Sequence, residues 1–163
     1  MTVATLKKFV GAWVHPDYGP IPVSEEALDR AEARLETYFP RFYRQCMVEV
    51  GPPCTALSLL STIVDRSLDL PSIGDFLTPE DIMSTTERWR EAGLPENMIA
   101  FANSGGGDLY CFEVVPEDAM VPEDAVVWYF DHEEREVESL ELNFSVWLAL
   151  YSNIPNPPSL ADA

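Results

Sequence analysis

The stretch from Met98 to Phe112, Met-Ile-Ala-Phe-Ala-Asn-Ser-Gly-Gly-Gly-Asp-Leu-Tyr-Cys-Phe, constrains this chain most, because two short apolar runs flank a triple glycine that ends in Asp108. Gly105, Gly106 and Gly107 reach positive φ at little steric cost, so they can form a tight or bulged connection that larger residues resist. The segment therefore reads as a hairpin-like β-turn-β unit. The lysine and Ser/Thr of a phosphate-cradling loop are missing, and so is the spacing of the dinucleotide fingerprint, which makes the glycines a structural turn. Asp108 has two readings: a cap on the turn that accepts backbone N–H bonds, or a residue that binds a partner.

Around this unit the sequence alternates helix and strand signals. A helix is expected from Ser24, an N-cap residue followed by Glu25 and Glu26, whose charges suit the positive end of the helix dipole. Leu28, Ala31, Leu35, Tyr38, Phe39 and Phe42 recur at helical spacing, with Pro40 as a break or kink. A second helical piece, Arg41 to Val50, should stop at Gly51-Pro52-Pro53. Leu57 to Val64 is expected to be a strand on the strength of its β-branched end, although its leucines do not favour one. Thr78, with Pro79 after it and Asp81 three residues on, approximates a capping box. The helix it opens places Ile82, Thr86 and Trp89 along one side and ends near Gly93.

Strands are expected at Met98 to Ala102, Leu109 to Val115, Ala125 to Phe130 and Val137 to Leu142. Asn143 should then cap a final helix with Phe144, Trp147, Leu148 and Tyr151 on one face. The pattern predicts an α+β fold: a single domain over 1–154, built as a mostly antiparallel sheet with helices from the N-terminal, middle and C-terminal parts packed against it. The proline-rich tail, 155–163, reads as a loose strap. The tetrapeptide Pro-Glu-Asp-Ala occurs twice, at Pro116 and at Pro122, which marks a turn-rich loop and not a repeat fold.

Charge narrows the function. Among 163 residues, 28 acidic side chains face 10 basic ones, for a formal charge of −18 and a pI near 4.2. Phosphate backbones and anionic lipid are repelled, so neither nucleic acid nor a membrane is an expected partner, whereas a basic protein is attracted. The competing reading is that the acidity only keeps the protein soluble. Cys46, Cys54 and Cys111 cannot pair completely within one chain, and their spacing fits no zinc pattern. A reducing compartment suits them. Phe9 to Val14, after Lys7 and Lys8, is too short and too glycine-broken for a signal-peptide core. No segment reaches the roughly 18 to 20 apolar residues that cross a bilayer. The expected location is cytoplasmic.

Residues for chemistry are sparse. His15 follows Trp13 without a partner nearby. His132 lies in Asp131-His-Glu-Glu-Arg135, at an expected hairpin tip, where it should be solvated with its pKa raised by neighbouring carboxylates. His with Asp or Glu can bind a divalent ion, but the pattern assigns no metal, no cofactor and no catalytic residue. Pairs such as Glu133 with Glu134 occur by chance in any chain this acidic. Their distribution says more: Glu113, Glu117, Asp118, Glu123, Asp124, Asp131, Glu133, Glu134, Glu136, Glu138 and Glu141 crowd one region in which Arg135 is the only base. That region should present an acidic rim, either a solvated face or a binding surface.

The order of features resembles the SUKH superfamily in its Smi/Knr-type branch. The matching pieces are the first helix with Glu32 and Leu35, and Phe39-Pro-Arg-Phe-Tyr-Arg44, similar to the signature LP-x-x-[YF]-[RK] with phenylalanine for leucine. Ile99-Ala-Phe-Ala-Asn-Ser-Gly-Gly-Gly-Asp-Leu-Tyr110 resembles the strand-turn-strand I-x-F-A-x-x-G-G-G-D. Val126-Val-Trp-Tyr-Phe-Asp-His132 follows it, and Asn143-Phe-Ser-Val-Trp-Leu148 looks like the closing SF-x-x-WL helix. The resemblance runs from about Val23 to Tyr151; Cys54 to Ser72 matches none of it. It implies a non-enzymatic α+β binding domain. Many bacterial members look like immunity proteins that neutralise a toxin, often a nuclease or deaminase, by binding it, while eukaryotic members look like regulatory scaffolds or adaptors. With the charge, it directs the choice of partner-binding residues to Asp108, Glu117, Asp118, Glu123, Asp124, Asp131, Glu133, Glu134, Glu136 and Glu138. The expected partner is a basic toxin domain; the oligomeric state is left open.

Overall fold

The glycine turn joins two strands as its chemistry requires, and the sheet grows from it. The computed structural model describes residues 2–55 and 57–155. In it, β1 (Met98–Asn103), β2 (Leu109–Glu113), β3 (Val126–Asp131) and β4 (Glu136–Asn143) form one antiparallel sheet in chain order. Asn103 pairs with Leu109 across the turn, and Gly105 and Gly107 take φ of +84° and +106°. The segment 75–77 lies along the outer edge of β1: Leu77 N–H donates to Phe101 O (2.9 Å) and Asn103 N–H to Asp75 O (2.9 Å). The outer edge of β4 has no strand beside it among the described residues.

Helices occupy both faces. They are α1 (Thr2–Trp13), α2 (Glu25–Leu35), α3 (Arg41–Glu49), α4 (Leu57–Asp65), α5 (Pro79–Glu91) and α6 (Phe144–Ser152), with a short 3-10 turn at Pro16–Tyr18. On one face Phe101 stacks on Phe112 at 4.1 Å between ring centres, and Tyr43 of α3 meets Phe101, Phe112 and Phe144 edge-on at 5.7, 5.3 and 5.6 Å. Trp147 of α6 packs on Tyr110 at 4.9 Å. Tyr110 pairs with Tyr129, so the next residue, Phe130, points to the opposite face. There Trp89 of α5 meets it at 5.8 Å. The α+β architecture is as the sequence predicts, and so are the four strands to within two residues at each end.

Three local expectations change. The segment Leu57 to Val64 is a helix, not a strand: Leu59, Thr62 and Ile63 are buried at helical spacing while Leu57, Leu60 and Val64 are exposed. Thr62 satisfies its hydroxyl on Ser58 O at 2.7 Å, a bond only a helix allows. The leucines outweigh the β-branched end. The break between α2 and α3 comes before Pro40, at Glu36, which adopts the left-handed conformation (φ +53°). Glu32 then accepts the Phe39 N–H at 2.7 Å and pairs with Arg44 at 2.6 Å, which turns the chain before the proline is reached. Tyr38 and Phe39 are therefore not helical, although Phe39 is buried. Asn143 sits at the N-cap of α6, but its side chain makes no cap bond.

One helix has no counterpart in the sequence reading. Thr2, Leu6, Phe9 and Trp13 are buried at spacings that line one side of α1. Trp13 donates its indole N–H to Tyr151 O at 2.9 Å and so joins α1 to α6. The proline-rich tail beyond Pro155 lies outside the described residues.

Candidate partner-binding surface

The ten acidic residues proposed to meet a partner divide by what their oxygens touch. Glu117, Asp118, Glu123, Glu133, Glu134, Glu136 and Glu138 are exposed, while Asp108, Asp124 and Asp131 are half-buried. Each half-buried carboxylate is engaged by the fold. Asp108 takes the Tyr129 hydroxyl on one oxygen and, on the other, the His132 N–H at 3.0 Å and the imidazole Nδ1 at 2.6 Å. Asp124 accepts from Ala125 N–H (2.9 Å) and from the hydroxyl and N–H of Ser145, thereby supplying the cap of α6 that Asn143 does not. Asp131 accepts the Glu133 and Glu134 N–H groups at 2.9 and 3.0 Å and shapes the β3–β4 turn.

Asp108 does not cap its own turn. Ser104 does, with its hydroxyl accepting the Gly106 and Asp108 N–H groups, and Asn103 accepts the Gly105 and Asp75 N–H groups through its side-chain oxygen. Asp108 instead reaches across to the far end of β3. Burial alone would raise its pKa, but the hydrogen bonds from Tyr129 and His132 outweigh that and hold it below the ordinary 3.8. His132 moves the other way: its bond to Asp108 raises its pKa above 6.5 against a smaller effect of burial. An ionised carboxylate only accepts, so the imidazole carries a proton on Nδ1. The ring lies against the backbone of Gly107, where a Cβ would come within 2.9 Å of Cε1, which is a second reason for glycine there.

His132 is thus partly buried (30% exposed) and bonded, not the free, solvated tip residue expected, although the expected direction of its pKa holds. Asp108, Asp131 and His132 offer ligand atoms within 4.8 Å of one another. Their carboxylates already satisfy five protein donors, so the group reads as a braced turn. His15 accepts the Asp17 N–H at 3.1 Å and packs on Tyr18, away from any such cluster among the described residues. Burial pushes the thiol of Cys46 up to about 12 and that of Cys54 up to about 11, so neither is an activated nucleophile.

The exposed acids fall at the two ends of β3 and along β4. Glu133 and Glu134 occupy the β3–β4 turn; Glu136 and Glu138 stand opposite Asp131 and Tyr129 on the edge strand. Glu117, Asp118 and Glu123 belong to the loop from Val114 to Ala125, which joins β2 to β3 at the other end. That loop is fixed at both roots. Val114 N–H donates to Asn97 O (2.8 Å) and Val115 N–H to the buried Thr37 hydroxyl (2.9 Å). At the other root, Pro122 O and Glu123 O accept the Arg41 and Phe42 N–H groups at 3.0 Å each and cap α3, whose own Pro40 has no side chain to do so.

An open groove lies on each flank of this loop. One, of about 650 Å³, is lined by Asp29, Glu32, Glu36, Tyr38, Val115 and Glu117. The other, of about 480 Å³, runs between the loop and the sheet, with Trp128 and Ser139 as part of its lining and Val115 shared. Met120 at its rim is 88% exposed and Val126 is 37% exposed. The acids stand out in the sequence, whereas this apolar strip shows there only as Met120-Val121 between the two Pro-Glu-Asp-Ala copies. No helix among the described residues is long and apolar enough to cross a membrane.

A model of the SMI1 / KNR4 family (SUKH-1) matches residues 22–150. That span takes in α2 to the greater part of α6, including the glycine turn, the acidic loop and the segment that sequence motifs left unmatched. No curated protein matches the chain.

Proposed function

From this chain's membership of the SMI1 / KNR4 family (SUKH-1), we propose that it is a non-enzymatic protein-binding domain, an immunity protein that neutralises a cognate bacterial toxin by stoichiometric binding. The family is one of immunity-like domains; the observation that carries the reading to this chain is the set of exposed carboxylates on fixed backbone, in a protein of formal charge −18. A loop anchored at Thr37, Asn97 and α3 loses little backbone freedom when a partner arrives. The field of the exposed carboxylates steers a basic surface into contact and covers the patch on which a nuclease or deaminase would hold nucleic acid.

The test is genetic. The protein encoded beside this gene is expressed in a test cell, and growth is scored with and without this chain. Growth arrest rescued by the chain supports the immunity role; toxicity without rescue, or none, removes it. A regulatory adaptor is the second reading, favoured by the outward apolar residues of α4, Leu57, Leu60 and Val64, which offer a contact surface separate from the acidic one. Several stable partners, instead of one toxin, would select it.

A further inference from the structure

We infer that the groove between the Val114–Ala125 loop and β3 is the docking site for a basic protein segment that carries one large apolar side chain flanked by Lys or Arg, the apolar group resting on Trp128 and Met120. The inference rests on the protein-binding reading above but not on the partner being a toxin.

The strip of Met120, Val126 and Trp128 is apolar, shares one groove and stands on backbone fixed at both roots. Aromatic and methionine side chains in such a place are typical of the centre of an interface, with polar residues around them. Glu113 lines the groove, Glu117, Asp118 and Glu123 are exposed on the loop that borders it, and the base that the contacts place nearby is Arg41 at the start of α3. This combination selects among occupants. Anionic lipid would accept the methionine but is repelled by these carboxylates, and nucleic acid is repelled likewise. A second copy of this chain brings another −18 charge. A basic segment fits both halves: its apolar side chain covers the strip, and its Lys or Arg stems lie along Trp128 while the heads reach the carboxylates.

The full-length, isotope-labelled protein is titrated with two synthetic twelve-residue peptides of equal positive charge, one with Phe-Leu at its centre and one with Ser-Ser. The apolar peptide is expected to bind at least tenfold tighter, to shift the Trp128 indole and the amides of 115–128, and to weaken at least tenfold between 50 and 500 mM NaCl. The double variant Met120→Ser/Val126→Ser should lose about tenfold in affinity for the apolar peptide and nothing for the other. The single Met120→Ser, on a loop position that supports no packing, guards against a folding defect and should lose part of it. Equal binding of the two peptides, no binding, or shifts confined to 131–138 or to α4 would overturn the inference. Growth rescue reports separately: a groove that binds the peptide in a chain that rescues nothing removes the immunity reading alone.

Discussion

The same four residues, Pro-Glu-Asp-Ala, occur at Pro116 and again at Pro122, and the fold uses them in opposite ways. In the first copy the chain makes a turn, Ala119 N–H to Pro116 O at 3.0 Å, and Glu117 and Asp118 stay exposed. In the second, Pro122 O and Glu123 O cap α3 while Asp124 caps α6, so that one tetrapeptide closes two helices. The difference lies in what is within reach: helix N-termini carry unpaired N–H groups, and the second copy lies against two of them. A count of acidic residues cannot separate an exposed carboxylate from a structural brace. An account of where each oxygen goes can.

Substitutions can widen or erase that contrast. The largest effect is expected away from both copies, at Asp108, a brace of the same kind as Asp124 whose half-buried donors include the His132 imidazole as well as the Tyr129 hydroxyl. Asp108→Ala leaves the Tyr129 hydroxyl and the His132 imidazole without their acceptor and should cost about 3 kcal/mol. Thermal unfolding should show it as a Tm lower by about 6 to 12 °C. Asp124→Ala comes next, at about 1 to 2 kcal/mol for a lost cap, read by the same melt; Asp124→Asn should recover part of it. Asp118→Ala, its counterpart in the first copy, should move stability by less than about 0.5 kcal/mol. If Asp118→Ala and Asp124→Ala melt alike, the contrast between the copies is wrong.

The pH dependence sharpens the comparison from the side of the brace. His132 has its pKa raised by Asp108, so its contribution to stability is whole below 6.5 and disappears as pH climbs through the raised value. Asp108 has its pKa lowered, so its contribution is whole above 3.8 and disappears as pH falls through the lowered value. Wild-type Tm should therefore decline as pH rises above 6.5 by a small increment that His132→Gln lacks; the difference between the two proteins cancels the general repulsion of a very acidic chain. Charge reversal in the first copy, Glu117→Lys/Asp118→Lys, has the smallest expected effect on Tm. Its consequence should appear in partner binding, as an association rate lowered about tenfold or more at low salt and much less at high salt. Surface plasmon resonance across a salt series would record it.

Much of the architecture was legible because local chemistry and long-range packing agreed. Thr78-Pro79 opens α5 as its residues require, and the glycine turn joins β1 to β2. Legibility failed where they disagreed or where the deciding partner is far along the chain. α4 hides a helical burial pattern under a β-branched end, and α1 buries Phe9 and Trp13 only because α3 and α6 are there to receive them. The candidate surface was half legible. Charge patterning located the acidic segment, but nothing local distinguishes Asp118 from Asp124. That distinction depends on Ser145, 21 residues away. The apolar strip escaped because Met120, Val126 and Trp128 meet only after the loop folds back on the sheet.

The two bonds from α3 into the acidic loop also make a built-in sensor. The Arg41 and Phe42 amides are covered by Pro122 and Glu123 and by no residue of their own helix, so their exchange with solvent measures how firmly the loop is seated. Anything that clamps the loop slows those two protons, and anything that pries it away releases them. Occupancy of the surface is therefore readable from the opposite side of the contact, in a protein that carries no label on the surface itself.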